Sequence, residues 1–140
     1  MASEVRFSKT CSLDVVGIGN AIVDVLVQTD DAFLTQHSLQ KGGMALIDEQ
    51  QAEALYTASG PGLVTSGGSV ANTLVGIAHL WGRAGFIGRV KDDQLGGIFS
   101  HDIRAVGARF DTAAATSGAT TARCLIYVTP DAERTMCTFL

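Results

Sequence analysis

Cysteine is scarce in this sequence and badly spaced for structural chemistry. Cys11, Cys124 and Cys137 are odd in number, far apart and in no C-x-x-C pair, which removes a disulfide framework and a zinc site and suits a reduced, cytoplasmic chain. Charge is sparse too, at 17% of residues, with 10 basic against 14 acidic side chains and the basic ones scattered. Without a basic patch a nucleic-acid partner is disfavoured. No apolar run approaches the ~20 residues of a membrane helix, since the longest block, Leu13 to Val27, is broken by Asp14, Asn20 and Asp24. The opening MASEVRFSKTCS lacks the layout of a signal peptide. There is no G-x-x-x-x-G-K-[ST] loop, no H-E-x-x-H and no G-x-S-x-G elbow. His37, His79 and His101 are singletons without ligand spacing, so solvated or locally hydrogen-bonded roles are expected of them. No metal site is expected.

What the sequence does have is hydrophobic residues, at 46%, and glycine, 16 in 140 residues against only 2 prolines. That composition gives a globular chain of one domain's length whose glycines mark tight turns and close approaches. Leu13 to Gly19 reads as a buried strand entering a glycine turn, and Ile22 to Gln28 as a second strand with Val23, Val25 and Val27 on one face and Asp24 on the other. Met44 to Ile47 makes a short strand. Asp48 and Gln51 have the spacing of a capping box for a helix running to about Ser59. Val70, Leu74, Ile77, Ala78 and Trp81 share one face of a helix that Gly82 would stop, and Ala84 to Val90 reads as a strand. A further helix from Asp93 ends at Gly107, and Phe110 to Ala114, Ala122 to Val128 and Arg134 to Leu140 are strand-like. Strand and helix alternating, then hairpins, indicate an open α/β sheet with an accessory β-element.

Three places could carry chemistry. Gly17-Ile18-Gly19-Asn20-Ala21-Ile22 begins like a dinucleotide fingerprint, but Ile22 replaces the third glycine and a strand follows where a helix is needed, so a nicotinamide or flavin role is disfavoured and a tight strand turn is adequate for Gly17. Gly67-Gly68-Ser69-x-x-Asn72 sits at a helix entry. Two glycines there let backbone pass close to a ligand, and the Asn72 amide both donates and accepts, which fits a polyol; an ordinary glycine entry with Ser69 as N-cap explains the spacing equally. Asp24 is the one carboxylate in an apolar strand, with Asn20 four residues before it; both could face one cleft, or Asp24 could face water.

Taken together, Asp14 to Asp24, Ser66-Gly67-Gly68-Ser69-Val70-Ala71-Asn72-Thr73 and Gly82 to Gly96 resemble the ribokinase (PfkB) carbohydrate kinase family, and their wording is most similar to its adenosine-kinase branch. The resemblance implies a Rossmann-like α/β/α sandwich carrying a small β-sheet lid, with lid strands at roughly 22–28, 43–47, 110–114 and 121–128 interleaved with the core. It implies ATP and Mg2+ as cofactors and phosphoryl transfer to a hydroxymethyl group of a nucleoside or sugar. By the same resemblance Asp24, Asn20, Gly67, Gly68 and Asn72 bind the acceptor, Arg134 lies near the active site, and Met44 and Leu46 touch a base or sugar face. The family's G-A-G-D segment, with its general base and anion hole, is not in the sequence, so no catalytic residue is assigned and the chain is expected to be an amino-terminal portion, inactive alone. A homodimer through lid strands is implied as well. The apolar ending at Phe139-Leu140 is expected to leave an exposed strand edge. A non-catalytic polyol-binding or dimerising fragment is the competing reading, and a dinucleotide-binding module a third.

Overall fold

Alternation in the strand that carries Asp24 decides how the molecule is layered. The computed structural model describes residues 11–140; the polar stretch before them, most of the segment compared with a signal peptide, lies outside the described residues. After strand β1 (Val15–Ile18), strand β2 (Ile22–Gln28) buries Val23, Val25 and Val27 and leaves Ile22, Asp24 and Leu26 half-buried on its other side. β2 pairs antiparallel with β4 (Leu63–Gly67) and parallel with β6 (Ala122–Val128). β6 runs antiparallel to β7 (Arg134–Phe139), which pairs in parallel with β3 (Met44–Leu46). The result is a five-stranded mixed sheet in the order β3-β7-β6-β2-β4.

One face of this sheet is covered. Helix α2 (Glu49–Ala58) buries Ala52 and Leu55, and α1 (Asp31–Gln36) buries Leu34, so that Val25, Val27, Leu55, Leu125 and Tyr127 form one apolar cluster. Helix α2 starts as its spacing requires: Asp48 Oδ1 accepts the Gln51 N–H at 2.7 Å and Gln51 Oε1 accepts the Asp48 N–H at 3.1 Å, which satisfies two end donors reciprocally. The other face carries Met44, Leu46 and Leu63, all exposed.

A second, parallel pair joins β1 to β5 (Ala84–Ile87), and helices α3 (Ser69–His79) and α4 (Gln94–Ala105) pack beside it. Here the core is aromatic: the rings of Phe86, Phe99 and Phe110 stand 5.3 to 5.7 Å apart in tilted and edge arrangements. Asp14 ties the entries of β1 and β5 together by accepting the Arg83 backbone N–H at 2.8 Å and its guanidinium at 2.6 Å. That guanidinium holds the Asp14 carboxyl down to about 2. Its contribution to stability is therefore present above the ordinary carboxylate value and is lost as pH falls towards 2. Among the described residues no helix is long and apolar enough to cross a membrane.

The structure departs from the sequence reading in five places. Strand β1, read as buried, exposes Val15, Val16 and Ile18. Residues 110–114 form no strand; the chain makes single bridges at Arg109 with Gly85 and at Ala115 with Lys91, and Phe110 is buried in the aromatic core instead of joining the five-stranded sheet. The pull of that core outweighs the short apolar pattern. Phe139 lies on an interior strand, β7, so the sheet edges are β3 and β4. Ser69 is not an N-cap: Gly68 takes that position at φ +95 with no side-chain cap. At the other end of α3 the left-handed residue is Trp81, at φ +67, not Gly82. Gly82 is required by space, since a Cβ there would stand 2.5 Å from Ile77 Cγ2. Trp81 is 95% exposed, so Trp81→Gly removes strain and no packing; we expect unfolding in urea to cost about 0.5 kcal/mol more, and a variant less stable than the parent would contradict that account.

Candidate functional site

The turn between β1 and β2 is shaped by helix packing. A Cβ at Gly17 would stand 2.6 Å from Val70 Cγ1, and one at Gly19 would stand 2.9 Å from Val70 Cβ, so the two glycines let α3 lie directly on the strand backbone. The Gly19 N–H donates to the Ile87 carbonyl at 3.1 Å. This geometry explains the G-x-G spacing without a dinucleotide, and the segment that follows is strand β2, not the helix a pyrophosphate would need. Asn20 is exposed at this turn, and its carbonyl oxygen stands 3.0 Å from where a Gly68 Cβ would be.

Asp24 and the diglycine meet directly. A Cβ added to Gly67 would overlap the Asp24 carboxylate, with Cγ only 2.6 Å away, so glycine is the residue that leaves room for the acid. Gly68 then turns the chain into α3, whose Asn72 donates its backbone N–H to the Gly68 carbonyl at 2.9 Å. Burial pushes the Asp24 carboxyl above its ordinary 3.8, with no donor or counter-charge offsetting it. A half-buried carboxylate with free lone pairs accepts hydroxyl hydrogen bonds strongly.

Strand register extends this point into a surface. Across the open face, Thr65, Asp24, Cys124, Thr138 and Leu46 form one cross-strand row. The neighbouring row is apolar throughout: Leu63, Leu26, Ile126, Met136 and Met44. Met44 and Leu46 thus share the face of Asp24, at 62% and 69% exposure. Arg134 does not join them closely. It pairs with Val128 at the far end of β7, four residues and so about 13 Å along the strand from Thr138, and is exposed. Asn72 lines a cleft of about 360 Å³ with Thr65, Ser66, Val75 and Asp102, which places it across β4 from Asp24, with Thr65 common to both.

Three residues of this region were not singled out in the sequence. Thr65 was available from the period-two continuation of Leu63 to Gly67. Cys124 was not, because only the β2–β6 register places it beside Asp24; its thiol accepts from the Thr138 hydroxyl at 3.2 Å, and burial pushes its pKa up. Asp102, on α4, accepts the edge N–H of Ser66 at 3.2 Å, a contact between elements far apart in sequence. His101 stands exposed beside it, its Nδ1 3.2 Å from Asp102 Oδ1. The arrangement offers a carboxylate and an amide near a close-approach diglycine, bordered by an apolar strip. Such a surface can hold a polyol and a flat apolar group together.

The chain is similar to known proteins in sequence and in fold. A family model described as pfkB family carbohydrate kinase matches residues 48–140. The fold is similar to that of the crystal structure of adenosine kinase from Sinorhizobium meliloti, with a TM-score of 0.82 and 50% identity over 93% of this chain and 40% of that one. It is similar too to a probable sugar kinase from Rhizobium etli CFN 42, with a TM-score of 0.79 and 48% identity over 91% of this chain and 39% of the other. Among curated proteins, the probable fructokinase-4 of Arabidopsis thaliana is 37% identical over 83 residues, 55% of this chain and 24% of its own length. The chain spans about two-fifths of the solved relatives' length and about a quarter of that curated relative's.

Proposed function

Since this chain belongs to the pfkB family of carbohydrate kinases, we propose that it supplies the acceptor-binding half of an ATP-dependent phosphotransferase whose acceptor is a nucleoside, adenosine before a simple sugar. The observation that carries the reading is the Asp24 carboxylate, desolvated and without a compensating donor, held against Gly67 on the open face of the sheet. In this reading the five-stranded sheet is the lid. Asp24 accepts hydrogen bonds from ribose hydroxyls, Asn72 adds an amide from the first turn of α3, and the diglycine lets the sugar approach the backbone. The apolar row containing Leu26, Ile126 and Met136 favours a nucleobase over fructose, because a flat ring removes that surface from water and a small polyol does not. The identity to the Sinorhizobium meliloti adenosine kinase supports the same choice.

The family's phosphate donor and its magnesium are not assigned to these residues. Among the described residues no three metal-ligating side chains converge, and no step is routed through a metal. What this part of the chain does is bind and orient the acceptor and exclude water from it. Positioning of this kind is a large share of catalysis in phosphoryl transfer.

Ligand-observed NMR on the 140-residue chain, with adenosine, ribose, fructose and NAD in parallel, tests the reading. Adenosine binding is expected, weakened roughly 10- to 100-fold in Asp24→Ala, the effect of losing hydrogen bonds to a charged acceptor. NAD binding, or fructose binding without adenosine binding, would overturn it. The raised pKa of Asp24 adds a second expected result. A folded value above the unfolded one means that Asp24's favourable contribution to stability exists only at low pH and is lost as pH rises through the raised value. Asp24→Asn is therefore expected to be more stable than the parent at neutral pH while binding adenosine less well, measurable by urea unfolding beside the titration.

A further inference from the structure

Behind the sheet, on the face away from Asp24, a buried arginine is only partly satisfied. Arg123 on β6 is 5% exposed. Its guanidinium gives one hydrogen bond, from Nη2 to Glu53 Oε2 at 2.7 Å, and lies 5.5 Å from the centre of the Tyr56 ring. Its Nε–H has no acceptor. Among the described residues one other buried side-chain nitrogen or oxygen is orphaned, Thr120 Oγ1. Both residues line the same cavity of about 200 Å³, bounded by Glu53, Tyr56, the α4 N-cap Asp93 and the first turn of α4 at Gln94 and Leu95. A guanidinium cannot shed its proton, and a buried donor without an acceptor is costly enough that its site calls for an occupant.

The groups left over define that occupant. The carboxylates are already engaged: Asp93 Oδ1 accepts from the Gly96 N–H at 2.8 Å and the Thr121 hydroxyl at 2.7 Å, and Oδ2 accepts from the Thr121 N–H at 2.9 Å. Glu49 accepts the Thr120 N–H at 2.9 Å. What remains are donors, namely the Arg123 Nε–H and the first-turn N–H groups of Gln94 and Leu95, which no intrahelical bond can use. Nε and Nη2 of an arginine form the fork that grips two oxygens side by side, and here Glu53 holds one prong only. Glu53 is itself 63% exposed and free to swing outward.

We propose that this cavity binds a small oxyanion, a carboxylate or a phosphate, bridging Arg123 and the N-terminus of α4, with Glu53 as the internal competitor it displaces. The site is separate from the acceptor face and does not depend on the kinase assignment. Its occupant joins the aromatic core, through α4, to the covered side of the five-stranded sheet, through β6.

The test is a titration of the ¹⁵N-labelled 140-residue chain with phosphate and, separately, acetate, following the Arg123 Nε–H signal and the Gln94 and Leu95 amides, with chloride as the ionic-strength control. A saturable shift with a Kd of about 1–10 mM is expected. Saturation by one anion alone identifies the source, and saturation by both supports the shared chemistry. Arg123→Lys, which keeps the charge but loses the fork, should weaken binding at least tenfold. Should that buried variant fail to fold, Glu53→Gln at the exposed position decides: removing the competitor should tighten binding about tenfold. A drift that matches chloride, a Glu53→Gln variant of unchanged affinity, or an Nε–H that contacts only water and ignores both anions would each overturn the proposal.

Discussion

Gly67→Ala is expected to weaken adenosine binding roughly 10- to 100-fold, as Asp24→Ala does, while leaving the chain folded. The added methyl has nowhere to go, because the Asp24 carboxylate occupies its place, with Cγ 2.6 Å from the new Cβ and Oδ1 at 2.8 Å. A carboxylate is the movable end of a short side chain, so the clash is relieved by swinging the acid aside, at the ~1–3 kcal/mol typical of overpacking. Binding at the proposed acceptor face suffers more. A displacement of about 1 Å in a positioning group costs on the order of 100-fold, and here the displaced group is the one charged acceptor on that face of β2. Gly60→Ala is the control, since a Cβ there meets nothing within 4 Å. Calorimetric titration of both variants checks the result; parent-like affinity in Gly67→Ala would show that Asp24 does not act from its observed position.

Phe99→Ala is expected to destabilise the chain by about 3–5 kcal/mol, the usual cost of emptying a buried aromatic site. Phe99 is fully buried, and its ring lies 5.3 Å from Phe86 and 5.7 Å from Phe110, so the substitution removes two aromatic pairs as well as the volume. Strand β5 and the loop through Phe110 pack into that cluster. Against a total stability of about 5–15 kcal/mol, such a loss lowers the urea midpoint steeply. A change below about 1 kcal/mol would mean that the three rings are not the centre of this core.

Much of this was readable in the sequence where the signal is local. The alternation of Val23, Val25 and Val27 and the Asp48–Gln51 capping box each follow from the chemistry of neighbouring residues, and the structure shows both. Where the sequence reading failed, distant parts of the chain decided the outcome. Phe110 is claimed by Phe86 and Phe99. Phe139 is interior because β3, far earlier in sequence, pairs with β7. Trp81 takes the left-handed position because Gly82 is needed against Ile77. The candidate site divides in the same way. The motif residues Asp24, Gly67 and Gly68 lie in one place because their strands are neighbours. Thr65 and Cys124 become visible only through register, since side-chain period alone cannot say which residue of another strand stands opposite. The orphaned Arg123 has no sequence signature, because satisfaction of a buried donor is a property of the packed molecule.

The most direct measurement is a pH titration of the Asp24 side-chain carboxyl ¹³C shift in the 140-residue chain, with and without adenosine, read alongside the amides of Gly67 and Gly68. The account predicts an elevated pKa in the free chain, a fall in that pKa on adding adenosine as hydroxyl donors stabilise the carboxylate, and shifts at both glycine amides that saturate together with it. An Asp24 that titrates identically with and without adenosine while the nucleoside binds elsewhere would contradict the assignment of this face as the acceptor site.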